Sequence, residues 1–238
     1  KAFIAGAGNL LLSADYSQVE LRLLAHFSGD KTMIEAFRNN LDIHAQTAAE
    51  VNGIAIEHVT PEERSKAKAV NFGLMYGQSS FGLSNALKIS RAEAKEYITK
   101  YFERFNQVKG YLDSLKEAAE EMGYAETFHG RKRFLPDIRS SNRTIKSQAE
   151  RVAINSPIQG TAADIIKIGM ANIYNRLNAE NLDSKMLLQV HDELIFEVPE
   201  KELSKMKKLV REEMEGVVKL NVPLSVDIGH GVDWFNLK

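Results

Sequence analysis

The chain of 238 residues contains no cysteine. Disulfides, thiolate zinc sites and a cysteine nucleophile are therefore excluded, and the composition suits a reducing cytoplasm. No apolar run is long enough to cross a bilayer, so no membrane partner is expected. Neither sign of charge is in surplus: the formal net charge is -1, which gives no global signature of nucleic-acid binding and requires any basic surface to be local. There is no HExxH, no P-loop and no His/Cys cluster to compete for a metal. Gly6 and Gly8 begin a Gly-x-Gly, but Asn9, Leu10 and Leu11 follow without the third glycine of a dinucleotide fingerprint. The chain does not begin with methionine, which leads to the expectation of a fragment or processed product. Internal repeats and low-complexity segments are absent.

What remains is ordinary globular material, 44% hydrophobic and 26% charged, enough for a real core. Lys1 followed by Ala2-Phe3-Ile4 could pass for a signal peptide, but Gly6, Gly8 and Asn9 interrupt it. A hairpin of Phe3-Ile4 and Leu10-Leu12 is the better expectation. Leu10 to Ala14 then reads as a buried strand ending at Asp15, and Gln18 to Phe27 as a helix stopped near Gly29. From Lys31 to Met122 the pattern is helical, punctuated by Pro61 and by glycines at 73, 77, 82, 110 and 123. Between His129 and Arg151 stand Arg131, Lys132, Arg133, Arg139, Arg143 and Lys146 against only Asp137 and Glu150, either a solvated loop face or part of a DNA groove. A helix from Ser147 meets Pro157 and resumes to Leu177. Met186–Val190 and Leu194–Val198 read as a hairpin, Glu200–Glu215 as a helix and Leu220–Ile228 as a last strand. Strands at both ends with helices between imply an α+β fold, an antiparallel-sheet domain with an all-α domain inserted into it.

Four stretches carry candidate chemistry. Asp15 ends a buried strand where a helix begins, a place that also suits a turn aspartate, and Ser17 with Glu20 forms an S-x-x-E capping box on its face. Arg64, Lys68, Phe72 and Tyr76 recur every fourth residue, which advances each by only about 40° around a helix and makes one stripe. Two cations at one end and two aromatics at the other suit a triphosphate with its sugar and base; an amphipathic helix with snorkelling cations is the alternative. Gly73 inside that helix costs about 1 kcal/mol against Ala, as if something approached the backbone closely. His191-Asp192-Glu193 lies between two apolar strands without Asn-Gly or Asp-Gly turn chemistry. Arg151, Asn155 and Gln159 repeat the four-residue spacing, and their donors suit minor-groove acceptors that hardly vary with sequence.

In this order and with these spacings, Asp15-Tyr16-Ser17-Gln18-Val19-Glu20, the R-x3-K-x3-F-x3-YG run from Arg64 to Gly77, and His191-Asp192-Glu193 resemble motifs A, B and C of the family A DNA polymerases, the bacterial DNA polymerase I type. Glu150 to Asp164 and His44 are similar to further family positions, and the resemblance covers essentially the whole chain. It implies a palm of residues 1–31 and 147–238 with fingers of residues 32–146 between. It also implies DNA-directed DNA polymerase activity, with primer-template DNA and dNTP as partners. Asp15 and Asp192 would hold two Mg2+ ions about 3.5–4 Å apart, with the Tyr16 carbonyl and the Glu193 carboxylate as secondary candidates. Gln18, Glu20, His44, Arg64, Lys68, Phe72 and Tyr76 would surround the dNTP, with Glu20 closing the space of a 2'-hydroxyl. Arg151, Asn155, Gln159 and His191 would meet DNA near the primer end. The family also implies a thumb segment N-terminal to this chain and a bacterial or phage-like cytoplasmic setting at the nucleoid. Two alternatives stay open: a fragment that binds primer-template DNA but is weak or inactive without its thumb, and a two-metal nuclease, which would have no use for the Arg64 to Tyr76 stripe.

Overall fold

The computed structural model describes residues 2–237. Lys1, the cation ahead of the first apolar residues, and Lys238 lie outside the described residues. In chain order the elements are β1 (Asn9–Tyr16), α1 (Val19–Ser28), α2 (Lys31–Arg38), α3 (Ile43–Asn52), α4 (Pro61–Met75), α5 (Ser80–Leu87), α6 (Arg91–Arg104) and α7 (Asn106–Met122). There follow β2 (Tyr124–Glu126), β3 (Lys132–Phe134), α8 (Arg143–Ala179), β4 (Lys185–Val190), β5 (Glu193–Pro199), α9 (Leu203–Glu215) and β6 (Val226–Gly231). They form two compact units, residues 1–19 with 162–238 and residues 20–161.

The first unit is built on an antiparallel sheet of order β4-β5-β1-β6. The central strands read as near-continuous apolar runs because both their faces are covered, as Leu11, Leu12, Leu194, Ile195 and Phe196 show by their burial. Amphipathic α9 turns Met206, Leu209, Val210 and Met214 inward, a 3.6-residue pattern. The expected opening hairpin does not form. Leu11 is paired with Glu197 on one side and Gly231 on the other, so β1 has no edge left for Phe3-Ile4. Ile4 bridges Asp233 instead, and Ala5 N donates to Val232 O at 3.0 Å. The last strand starts at Val226 rather than Leu220, since Pro223 lacks the N–H a ladder needs.

The second unit is helical apart from the short β2–β3 ladder. Its helices start where side chains accept the orphan N–H groups: Asp30 from Met33, Asp42 from His44 and Ala45, and full capping boxes at Thr60/Glu63 and Ser90/Glu93. The basic stretch is folded, not a plain solvated loop. Arg139 donates to the Glu120 and Glu121 carbonyls at 2.7 and 2.8 Å, closing the end of α7, and Lys146 pairs with Glu120 at 2.5 Å. Strands of three residues are too short for a period to show, which is why sequence missed them. Helix α8 starts at Arg143, where Asn142 Oδ1 accepts from Thr144 N at 2.9 Å, and runs unbroken through Pro157.

Candidate active site

In the first unit, strand register decides which carboxylates meet. Asp15 sits opposite Glu193 on β5 and opposite Asp227 on β6. Directly opposed residues share a face, so the three carboxylates project from one side of the sheet. Tyr16 N donates to Asp192 O at 3.2 Å, which fastens the end of β1 to the β4–β5 turn. Asp15 Oδ1 is withdrawn from solvent, while Asp192 is half-buried. Glu193 is buried and accepts from Ser13 Oγ at 2.5 Å, a commitment that holds one of its oxygens on the sheet. Asp227, exposed, was not singled out from sequence; an acid within an apolar terminal strand was its only signal.

The turn carrying His191-Asp192 has two residues, and His191 adopts φ +55°, a conformation costly for a side chain with a Cβ. Gln189 Nε2 supports it by donating to His191 O at 2.9 Å. Tyr16 points its ring to the other face, where its hydroxyl donates to Met214 O at 2.7 Å; burial, then the nearby Glu215, push that hydroxyl's pKa well up. The Tyr16 side chain is thus fixed on α9, and its backbone carbonyl is what could serve an ion. Gln18 stands at φ +54° with its Oε1 buried and without a hydrogen-bond partner. Among the described residues no group of three or more His, Cys, Asp or Glu converges on a metal position. Two aspartates and a carbonyl are nevertheless the donor set that suits Mg2+, which takes one or two carboxylates and fills its shell with water and phosphate oxygens.

In the second unit, α4 presents the stripe. Arg64 and Lys68 are exposed, Phe72 is half-buried and Tyr76 caps the helix end, while Ala67, Val70, Asn71 and Leu74 are buried. Phe72 and Tyr76 stack at 6.4 Å between centroids, and Phe72 lies 5.8 Å from the His44 ring. Tyr76 donates its hydroxyl to Glu20, so the glutamate read as cap or sugar neighbour is tied to the far end of the stripe. Arg64 Nε binds Asp42 Oδ2 at 2.6 Å. Burial raises the Asp42 carboxyl, but the N–H of Ala45, the Arg64 guanidinium and the N–H of His44 outweigh it and hold the pKa below the ordinary value. His44 is buried and its pKa falls to about 4, burial being the main cause with Arg64 and Lys68 adding to it and Asp42 opposing. It is therefore neutral near pH 7. Gly73 does face a close approach, though from the chain itself: a Cβ there would lie 2.1 Å from Gln78 Oε1.

Pro157 does not disturb the helix, so Arg151, Asn155 and Gln159 follow one another on α8. Arg151 packs against Gly77, whose added Cβ would lie 3.2 Å from Arg151 Cγ. Asn155 Oδ1 is buried without a hydrogen-bond partner. Gln159 lines a cavity of about 290 Å³ with Thr127, Arg131, Lys132 and Arg133.

A model of DNA polymerase family A matches residues 1–236, and the chain belongs to that family. It is 53% identical over 238 residues to DNA polymerase I of Caldicellulosiruptor bescii, covering 100% of this chain and 28% of that protein. It is 53% identical over 240 residues to DNA polymerase I of Streptococcus pneumoniae R6, covering 100% of this chain and 27% of the relative. The chain thus spans a little over a quarter of these relatives. Among solved structures it resembles the POL domain of Pol1 from M. smegmatis in complex with DNA primer-template and dNTP. The TM-score there is 0.96 at 46% identity, with 99% of this chain and 42% of that one covered.

Proposed function

We propose that this chain performs template-directed DNA synthesis, transferring dNMP from a dNTP to a primer 3'-hydroxyl with release of pyrophosphate. The observation that supports it best is the register of β1 against β5, which sets Asp15 beside the His191-Asp192-Glu193 turn from the far end of the chain. Asp15 and Asp192, with the Tyr16 carbonyl, would hold two Mg2+ ions, which when bound supply activation of the attacking oxygen and charge neutralisation at the phosphorus. Glu193, one oxygen of which accepts from Ser13, would be a secondary catalytic carboxylate beside them. Arg64 and Lys68 neutralise the triphosphate, Phe72 and Glu20 enclose the deoxyribose, Tyr76 neighbours the templating base, and His44 donates to a phosphate. Gln18 would be a further dNTP contact in this reading.

Arg151, Asn155 and Gln159 would inspect the minor groove at the primer terminus, with His191 near the primer end. The cavity of about 290 Å³ beside Gln159, with Arg131, Lys132 and Arg133 on its wall, would take a backbone phosphate there. Palm and fingers of residues 1–31 with 147–238 and of residues 32–146 remain part of this reading, as does a bacterial cytoplasmic setting. No described helix is long and apolar enough to cross a membrane.

Primer extension with Mg2+ and each dNTP tests the proposal, with Lys68→Ala as the diagnostic variant. It should raise the apparent KM for dNTP and slow turnover while barely altering primer-template affinity, because an ammonium gains most as charge develops on pyrophosphate. Loss of DNA affinity with unchanged dNTP use would assign the stripe to the wrong ligand. DNA binding without extension by the wild-type chain would instead favour a DNA-binding fragment dependent on a thumb.

A further inference from the structure

Asn71 is wholly buried on α4, one residue before Phe72, and its amide joins two side chains of α3. Its Nδ2 donates to Thr47 Oγ1 at 3.0 Å and lies 3.0 Å from His44 Nδ1. The Thr47 hydroxyl has a single proton, directed to Ile43 O at 2.8 Å, the shorter contact and the one internal to its helix. Although Thr47 Oγ1 also lies 3.1 Å from Asn71 Oδ1, it therefore meets the amide as an acceptor. In the orientation that the amide takes in the structure, with Nδ2 toward the ring, its two N–H bonds match two acceptors, Thr47 Oγ1 and His44 Nδ1. A ring nitrogen that accepts has no proton, so neutral His44 carries its proton on Nε2. The charged groups around the ring are Asp42 from the start of α3 and Arg64 and Lys68 from α4. Two cations against one carboxylate, together with burial, oppose a positive imidazole, and His44 stays neutral down to about pH 4.

We propose that Asn71 and Thr47 are positioning residues that lock His44 as an uncharged Nε2–H donor to a phosphate of the nucleotide bound along α4. The proposal deepens the reading of His44 as a nucleotide contact and rests on it. Arg64 and Lys68 already provide charge; what the lock adds is a donor in one fixed protonation state. The other neutral tautomer would turn a lone pair toward phosphate oxygens and repel them.

Side-chain nitrogen–proton NMR of the full chain, with His44→Gln to assign the signals, reads the tautomer directly. The expected result is an unprotonated Nδ1 and a protonated Nε2 from alkaline pH down to about 4. Asn71→Leu and the near-isosteric Thr47→Val should each give mixed tautomers, and Asn71→Asp, which only accepts, should move the proton to Nδ1 and raise the pKa. Thr47→Val keeps the test decisive where Asn71→Leu does not fold. Titration with dATP, followed at the same resonances, should show roughly tenfold weaker binding in these variants. A wild-type proton on Nδ1, or a Thr47→Val spectrum unchanged from wild type, would overturn the lock. Spectra that shift as expected while dATP affinity does not change would leave the lock standing and overturn its phosphate role, together with the reading of His44 on which that role rests.

Discussion

Asp192 carries the most direct expectation. Asp192→Asn keeps the shape of a half-buried turn residue and removes a charge that the proposed site would use to hold Mg2+, so on that reading nucleotide addition should vanish while the thermal midpoint stays near wild type. Primer extension and calorimetry on the same preparation check both halves. Sugar choice should divide between two other residues. In the proposed nucleotide site, Glu20→Ala should open room for a 2'-hydroxyl and relax exclusion of ribonucleotides, whereas Phe72→Tyr, whose added hydroxyl would lie near the sugar's 3' position, should let dideoxynucleotides compete far better. The Tyr76 to Glu20 hydrogen bond adds a further expectation. Tyr76→Phe removes the donor that orients the carboxylate and should relax ribonucleotide exclusion in the same direction as Glu20→Ala, by less. Incorporation ratios for both analogues in all three variants decide it; unchanged exclusion with Glu20→Ala would leave that residue only a place at the start of α1.

Within elements, two glycines predict opposite outcomes. A Cβ at Gly229 on β6 would sit 1.7 Å from the backbone oxygen of Leu237, which cannot swing aside as a side chain can. Gly229→Ala should cost about 3 kcal/mol or displace the C-terminal turn, visible as a lower midpoint in urea. At Gly73 the obstacle is the tip of Gln78, so Gly73→Ala combined with Gln78→Ala should fold well and regain about 1 kcal/mol of helix propensity. A double variant markedly less stable than wild type would show that α4 needs the glycine for another reason. The α4 start is legible in sequence, since Thr60, Pro61 and Glu63 form a local cap; the use of Gly73 is not, because Gln78 returns over it only after the helix has ended.

For the whole chain, acid stability follows from histidines that the fold keeps neutral. Burial lowers the pKa of His26, and His44 falls from 6.5 to about 4. Above pH 6.5 His44 is neutral folded or unfolded; between 6.5 and 4 the unfolded chain binds a proton that the fold refuses, so stability falls as the pH is lowered through that window. Melting curves should show the midpoint dropping across it, with a shallower slope in His44→Gln. A slope the same in both would mean that His44 titrates alike in the folded and unfolded chain.

The three motifs, the β4–β5 hairpin and the largely helical middle of the chain rest on local pattern, and they were readable from residues alone because periodicity and turn chemistry act over a few neighbours. The pairing of β1 with both β5 and β6 is long-range, and only the folded sheet shows that Phe3-Ile4 has no strand to join and that Asp227 stands beside Asp15. The same holds for the basic stretch, where Arg139 closes the end of α7 and Lys146 pairs with Glu120, and for Glu193, one oxygen of which accepts from Ser13 at the other end of the chain. Sequence can name the donors and acceptors of a site. Which of them a fold assigns to each other is set by register and burial, and these depend on residues too distant in the chain for any local pattern to record.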